Sequence, residues 1–223
     1  MGRTRGRSGM GLGSMQLSWS DEQIKTALQR QSPGRAAQLR MAVRPRPGDR
    51  RDLPDPCPHE AAVLILLYER QGQLVFPLTL RTQTVEIHRG QISLPGGSRE
   101  AQDANLQATA LRETAEELGV GPSATEVVGN LSPLFIPASG FCVYPYVACV
   151  RPAPVLRPDP REVAQVFEVA ISHLLDPRTR RFEIRQRDGQ RFRVPAYRIG
   201  DRRIWGATAM ILAELVAVLR AQS

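Results

Sequence analysis

The chain has 223 residues, of which 42% are hydrophobic, so it is long enough for one domain with a sizeable core. It contains no run of about 18 apolar residues, and therefore the sequence predicts no membrane-spanning helix. The formal net charge is +8, but residues 1–52 hold eleven basic and four acidic residues and account for +7 of it. This pattern predicts a basic N-terminal arm on a nearly neutral body. Nucleic acid is not expected as a partner, because no base-reading or aromatic pattern accompanies the arm.

The first segment, residues 1–17, is rich in Gly, Arg and Ser and is predicted to be a disordered basic leader. It has no continuous apolar stretch, so a secretory signal is not expected, whereas a transit peptide or translation from Met15 stay open as alternatives. The cysteines Cys57, Cys142 and Cys149 show no CxxC spacing. We therefore predict that the protein has no disulfide and is cytoplasmic.

The second segment, residues 18–58, is predicted to contain one helix and a linker. Ser20 and Gln23 have the spacing of a capping box at the start of a helix, with Ile24 on its apolar face. Residues 31–58 are rich in Pro and Arg and predict a linker that lies on the surface. The compact domain is then predicted to cover residues 59–223.

Strands and two helices alternate irregularly through the compact domain. A continuous apolar run beginning near His59 predicts a buried strand, and a second strand follows it. A helix is predicted over about residues 105–118, ended by Gly119. Five further strands follow, two of them joined by a hairpin turn at Asp188–Gly189, and an apolar helix closes the chain. The absence of a regular strand–helix–strand repeat indicates an α+β sandwich.

Three carboxylates lie on one face of the predicted central helix. Glu113, Glu116 and Glu117 are three and four residues apart, so like charges are neighbours and repel one another. A bound divalent cation would compensate that repulsion, since carboxylate oxygens are ligands that Mg²⁺ and Mn²⁺ prefer. Arg112 is placed four residues before Glu116 and can hold its rotamer. A solvated acidic face is the alternative, but the preceding Gly96–Gly97 pair allows backbone to approach a metal-bound phosphate and favours a site.

These residues resemble the Nudix hydrolase box. The matching positions are Gly97, Asp103, Arg112, Glu113, Glu116, Glu117, Gly119 and Val120. The interval from Gly97 to Arg112 is one residue longer than in the usual box, and Asp103 stands where the spacer acid is usually Glu. The resemblance implies a Nudix-type α/β/α sandwich with a mixed sheet.

The segment before the box resembles the signature of the coenzyme A pyrophosphatase branch of the same superfamily. Its matching positions are Leu78, Thr79, Arg81, Gly90, Pro95, Gly96 and Gly97. Two positions depart from that signature, since Glu86 replaces its second Arg and Leu94 replaces its Phe. The resemblance covers roughly residues 59–219.

The resemblance also implies roles for individual residues. It makes Glu113 and Glu117 the leading ligands of Mg²⁺ or Mn²⁺, helped by Glu116 and the Gly97 carbonyl, with Arg112 holding the carboxylates. We add Glu162 as a candidate general base, although a surface Glu before a strand explains it equally well. The candidate substrate-binding residues are Arg81, His88 and Arg89.

The expected reaction is the metal-dependent hydrolysis of a diphosphate linkage. Coenzyme A or an acyl derivative is the favoured substrate and would give 3′,5′-ADP and a phosphopantetheine. ADP-ribose or a nucleoside triphosphate is the first alternative, and a non-catalytic Nudix-like module that binds nucleic acid is the second. A homodimer is a further expectation, and no membrane partner is expected.

Overall fold

The computed structural model describes residues 19–30, 32–46, 48, 52–82 and 91–221. Within these residues the helices are α1 (Asp21–Gln29), α2 (Gly34–Gln38), α3 (Leu106–Leu118), α4 (Ile171–Leu175) and α5 (Gly206–Arg220). The strands are β1 (His59–Arg70), β2 (Gln73–Arg81), β3 (Ile92–Ser93), β4 (Gly96–Ser98), β5 (Glu126–Asn130), β6 (Leu134–Ile136), β7 (Phe141–Cys149), β8 (Val163–Ala170), β9 (Arg180–Arg187), β10 (Gln190–Ile199) and β11 (Arg202–Trp205).

The main sheet is mixed and is organised around β1. This strand pairs in parallel with β7 and antiparallel with β2 and β4. Its side chains alternate between two hydrophobic clusters, because successive residues of a strand point to opposite faces. Ile65 and Leu67 join the cluster that contains α1 and α5, whereas Leu64 and Leu66 join the cluster that contains α3. The predicted α/β/α sandwich with a mixed sheet is therefore confirmed.

The N-terminal helix α1 begins at the predicted capping box. Ser20 and Gln23 exchange side-chain hydrogen bonds with each other's backbone amides, and Ile24 is fully buried. The structure differs from the surface linker predicted for residues 31–58. Within that range, Met41 and Ala42 are buried in the main cluster, where α5 packs against them. The high Pro and Arg content of residues 31–58 led to the prediction of a surface linker, although the short apolar segment around Met41 can pack against the C-terminal helix.

A buried carboxylate fixes this segment to the last helix. Glu214 of α5 is 0% exposed and accepts hydrogen bonds from the side chains of Ser32 and Gln38 and from the backbone amide of Ser132. Each acceptor oxygen of Glu214 is thus satisfied within the protein, which offsets the loss of hydration when the group is buried. The contact joins residues that are far apart in sequence and holds α2 beside the sandwich.

The prediction that all three cysteines are reduced is wrong. Cys57 and Cys142 form a disulfide across 85 residues, with a Cα–Cα distance of 6.3 Å. The pairing arises because the segment before β1 runs beside the start of β7, which is the parallel neighbour of β1. Cysteine spacing along the chain carries no information about that neighbour. Cys149 is a free, buried thiol, as its position in an apolar strand suggested.

The second sheet has the order β11–β10–β9 and contains the predicted hairpin. Arg187 pairs with Gln190 across a two-residue turn, in which Asp188 has φ 51° and Gly189 has φ 76°. Positive φ at both turn positions matches the twist of the two flanking strands, and Gly accepts this conformation without a Cβ clash. In the described part of the chain, no helix has the length and apolar character needed to cross a membrane.

Candidate active site

Helix α3 places three carboxylates beside the glycine strand β4. The Asn105 side chain accepts a hydrogen bond from the Ala108 amide at the start of the helix, and Gly119 ends it with φ 71°. Ala110 and Leu118 are fully buried against the sheet. This packing fixes the rotation of the helix and turns its acidic face toward β4.

The two glycines of β4 are required for different reasons. Gly96 has φ 147°, and a Cβ there would lie 2.3 Å from the carbonyl oxygen of Ala62 in the neighbouring strand. At Gly97, a Cβ would lie 2.4 Å from Oε1 of Glu113. Gly96 therefore lets β4 pair closely with β1, whereas Gly97 makes room for a carboxylate above the strand.

Arg112 organises the acidic residues around it. Its Nε and Nη2 donate to Oδ1 and Oδ2 of Asp103 at 3.0 and 3.1 Å, and Nη1 donates to Glu113 and Glu116 at 3.0 and 2.9 Å. Nη2 also donates to the Ser98 carbonyl at 3.0 Å, which ties the guanidinium to the strand that carries Gly97. The guanidinium holds the pKa of the Asp103 carboxyl well below its usual range. Asp103 is thus fully engaged and orients Arg112.

Glu117 is the buried carboxylate of the group. It is 1% exposed, and its Oε2 has no hydrogen-bond partner among the described residues. Burial raises its pKa to about 8; the Arg81 guanidinium opposes this effect, and the charges of Glu113 and Glu162 add to it. Nη1 of Arg81 lies 4.0 Å from Oε1 of Glu117. An ionised carboxylate in this position requires a cation that the protein itself does not fully supply.

The carboxylates fit a divalent cation through Glu113 and Glu117. The part of the chain that the structure describes contains no preformed group of three His, Cys, Asp or Glu side chains able to hold a metal ion. Glu116 turns toward Arg112, and its side chain is 53% exposed. The unpartnered Oε2 of Glu117 and the Glu113 carboxylate above Gly97 are hard oxygen donors, which suit such an ion.

The structure brings two further predicted residues to this group. The Glu162 carbonyl accepts from the Thr82 amide, directly after Arg81, and its charge raises the pKa values of Glu113 and Glu117. Arg81 ends β2 beside Glu117. The other two predicted substrate-binding residues, His88 and Arg89, lie outside the described residues.

Sequence reasoning missed two supports of the site. Thr109 donates from its hydroxyl to Oδ2 of Asp103 at 2.9 Å, and the Ser98 carbonyl accepts from Arg112. The proximity of Thr109 to Arg112 could have been predicted from the sequence, because Thr109 lies one helical turn before Arg112 on the same face of the helix. The contact between Ser98 and Arg112 could not have been predicted from the sequence, since it depends on how β4 packs against α3.

Comparison with known proteins places this geometry in a family. The NUDIX domain family model matches residues 58–187, which is more than half of the chain. The chain is 36% identical over 157 residues to the uncharacterized Nudix hydrolase NudL of Photorhabdus laumondii, an alignment that covers 70% of this chain and 82% of that protein. It is 38% identical over 168 residues to the mitochondrial Nudix hydrolase 15 of Arabidopsis thaliana, covering 72% and 59% of the two chains.

A third relative carries a more specific name. The chain is 37% identical over 158 residues to the mitochondrial coenzyme A diphosphatase NUDT8 of Homo sapiens, covering 69% of this chain and 66% of that one. The alignments thus span less than two thirds of NUDT8 and of the Arabidopsis protein. Nudix hydrolases use divalent cations, as the carboxylates beside Gly97 would require. From its glycine strand, its acidic helix and these matches, the chain belongs to the Nudix hydrolase family.

Proposed function

We propose that this protein hydrolyses the diphosphate bridge of coenzyme A or acyl-coenzyme A. Water adds across one P–O–P linkage, and the products are 3′,5′-ADP and phosphopantetheine or its acyl derivative. The observation that carries the proposal is the unpartnered, buried Oε2 of Glu117 beside Glu113 and Arg81. The coenzyme A signature around Arg81 and Gly97, and the name of the human relative, support this substrate class.

The cation-holding residues in this proposal are Glu113, Glu116, Glu117 and the Gly97 carbonyl. The chemistry that Mg²⁺ or Mn²⁺ supplies here is neutralisation of phosphate charge and a lowered pKa of bound water. Arg112 keeps Glu113 and Glu116 in position through its hydrogen bonds, and Asp103 keeps Arg112 in position. Glu116 contributes after it leaves the Arg112 contact, which its exposed side chain permits.

Glu162 is our proposed general base. Its charge raises the pKa values of both Glu113 and Glu117, which supports a place for its carboxylate near theirs. A base in this position takes the proton from the attacking water as the new bond to phosphorus forms. Matched variants test it: Glu162→Gln should lower kcat about 100-fold or more, whereas Glu126→Gln, at an exposed Glu of β5, should leave it unchanged.

Arg81 is our proposed contact for a substrate phosphate, together with His88 and Arg89 of the following segment. Its Nε is buried and has no partner among the described residues, so the guanidinium retains donors for a phosphate oxygen. Arg81→Lys keeps the charge but loses the planar donor pair. We expect this variant to raise KM more than it lowers kcat.

A substrate panel tests the proposed reaction. The full chain with Mn²⁺ or Mg²⁺ is incubated with coenzyme A, acetyl-coenzyme A, ADP-ribose and nucleoside triphosphates, and products are separated by mass. The expected result is two phosphate-bearing products from coenzyme A, with kcat/KM at least tenfold above that for any other compound. A wide preference for ADP-ribose or a triphosphate would overturn the substrate and leave the Nudix reaction in place.

The cellular location and the oligomeric state are separate proposals. The cytoplasm is the location that we propose from the sequence, but the Cys57–Cys142 disulfide is uncommon in a reducing compartment. Fractionation of cells that express the full chain tests this location. Light scattering at several protein concentrations tests the proposed homodimer.

A further inference from the structure

The positive charge of the folded body is concentrated in the second sheet. Residues 180–205, which form β9, β10 and β11, contain nine Arg and three acidic residues, whereas the other residues after position 52 contain ten basic and fifteen acidic ones. The net charge of the residues after position 52 is nearly zero only because the excess of basic residues in this sheet offsets the excess of acidic residues elsewhere. A net +6 over 26 residues is the type of patch that attracts a polyanion.

The register of the sheet puts much of this charge on one face. Ala196 of β10 pairs with Arg181 of β9 on one side and with Trp205 of β11 on the other, so these side chains share a face. Alternation along the strands adds the remaining members. We call this surface the open face; it comprises Arg181, Glu183, Arg185, Arg187, Arg198, Arg203 and Trp205.

The opposite face of the same sheet packs on the protein at β10 and β11, whereas Phe182 and Ile184 of β9 are exposed on that side. Tyr197 and Ile204 point to that side and are buried in the main core, at 3% and 0% exposure. On the open face, Trp205 is 37% exposed, and the side chains of Arg185 and Arg187 are 40% and 85% exposed. The long charged side chains and Trp205 of the open face are therefore exposed to solvent, whereas Val194 and Ala196, which lie between them on β10, are buried.

An aromatic ring lies among these cations. The guanidinium carbon of Arg185 lies 5.4 Å from the centre of the Trp205 ring. No carboxylate among the described residues lies within ion-pair distance of Arg181 or Arg198, and both side chains line a cavity of about 490 Å³ at one end of the face. The same cavity is also lined by Arg178, by Phe182 and by the carboxylate residue Glu183.

We propose that the open face binds single-stranded nucleic acid. Proteins that bind single strands without sequence preference combine a cationic track for the phosphates with aromatic rings on which bases stack. Arg181, Arg185 and Arg198 supply the track, and Trp205 supplies the ring. A base can stack on an aromatic ring only when its own face is free. The bases of a single strand can present a free face to the ring, whereas the bases of a duplex are already stacked on one another.

Two other roles of these arginines explain the charge pattern less completely than nucleic-acid binding does. One is protection of a sheet edge against association, and the other is attraction to a membrane surface. Charge on an edge strand opposes edge-to-edge association, but this applies to the two edge strands β9 and β11 and not to Arg198 in the central strand β10. A membrane surface would also attract Arg residues. The hairpin tip, however, is Asp188–Gly189 and offers no apolar side chain for insertion among lipids.

Fluorescence anisotropy with a labelled 20-nucleotide oligouridine tests the proposal on the full chain. Wild-type protein should bind, with affinity that falls steeply between 50 and 200 mM salt. The triple variant Arg181→Gln, Arg185→Gln, Arg198→Gln should bind at least tenfold more weakly. Its salt slope should fall by about 2, because each lost phosphate contact removes about 0.7 from the slope for a single strand.

A charge-matched control separates the open face from the N-terminal arm. Arg3→Gln, Arg5→Gln, Arg7→Gln removes the same charge from the arm and should change the affinity less than threefold. Circular dichroism reports whether the sheet variant folds; if it does not, Arg198→Gln alone replaces it, with an expected loss of about threefold. Equal losses in the two triple variants would overturn the assignment to the open face.

Trp205 gives an independent readout. The chain has two Trp residues, so Trp19→Phe leaves Trp205 as the only one. Oligouridine should quench its fluorescence in that variant, and Trp205→Ala should weaken binding about fivefold or more. Absent quenching, no binding by the wild type, or tighter binding to phosphatidylserine vesicles than to oligouridine would each overturn the proposal. None of these residues belongs to the proposed catalytic group, so hydrolysis and binding can fail separately.

Discussion

The guanidinium of Arg112 donates one hydrogen bond to each carboxylate oxygen of Asp103, at 3.0 and 3.1 Å. Asp103 is 7% exposed and receives a further bond from Thr109. Because Arg112 also contacts Glu113 and Glu116, this pair determines where two carboxylates of the site lie. The spacer acid of the box thus contacts the arginine that holds Glu113 and Glu116, and we propose that it is a positioning residue.

The first prediction concerns this pair. Asp103→Asn removes the charge that holds Arg112, so we expect kcat/KM to fall about 10- to 100-fold. The free energy of unfolding should fall by about 1–3 kcal/mol, because Arg112 loses its charged partner while its bonds to Glu113, Glu116 and Ser98 remain. Urea unfolding and steady-state kinetics measure the two effects. Asp188→Asn, at the exposed pair with Arg187, serves as the control and should change each by little; equal effects in both variants would contradict the positioning role.

The second prediction concerns the buried carboxylate. Glu117→Gln should lower kcat at least 1,000-fold. It should also raise the free energy of unfolding of the metal-free protein by about 1–3 kcal/mol, because a buried acceptor without a hydrogen-bond partner destabilises the wild type. Thermal unfolding in EDTA measures the gain, and addition of Mn²⁺ should raise the Tm of the wild type but not of the variant. Glu116→Gln, whose side chain is half exposed, should not stabilise the protein.

The gain from Glu117→Gln should depend on pH. The pKa of Glu117 is raised from 4.5 to about 8 in the folded state, so the neutral form is favoured there. Below about pH 4.5 Glu117 is protonated in both the folded and the unfolded state, so it does not change the free energy of unfolding. As the pH rises toward 8, the unfolded state ionises first and the free energy of unfolding falls progressively. The stability difference between variant and wild type, measured in EDTA, should grow over this window and then level off. A constant difference would contradict the raised pKa.

The third prediction contrasts the two glycines of β4. Gly96→Ala places a Cβ 2.3 Å from a backbone carbonyl at positive φ, so we expect poor folding or a loss of more than about 3 kcal/mol. The atoms nearest to a Cβ at Gly97 are those of the Glu113 carboxylate, which is the end of a flexible side chain and can move away. That variant should fold with nearly normal stability and lose Mn²⁺-dependent activity at least tenfold. Matched losses of stability in both variants would contradict this division of roles.

The fourth prediction concerns the disulfide. Unfolding the air-oxidised protein without reductant should expose one titratable thiol, that of Cys149, and reduction should raise the count to three. Cys57→Ser should lower the free energy of unfolding by about 2–4 kcal/mol relative to the oxidised protein, since the bond closes a long loop. Three thiols before reduction would show that the bond does not form in solution.

Several features of the fold could be predicted from the sequence because their causes are local. Ser20 and Gln23 set the start of α1, Gly119 sets the end of α3, and Asp188–Gly189 sets the hairpin. Each depends on residues within one turn of chain, where side-chain chemistry and allowed φ values decide the structure. The three carboxylates of α3 share a face for the same reason.

The tertiary structure alone decided the contacts between distant segments. It paired Cys57 with Cys142, buried Met41 under α5, and placed Arg81 of β2 beside Glu117 of α3. The sequence by itself determined which side chains could hold a cation and on which helix they lie. Which of them is buried, which is bound by Arg112 and which has an unpartnered oxygen depends on how strands and helices pack, because burial and pairing are properties of neighbours far away along the chain.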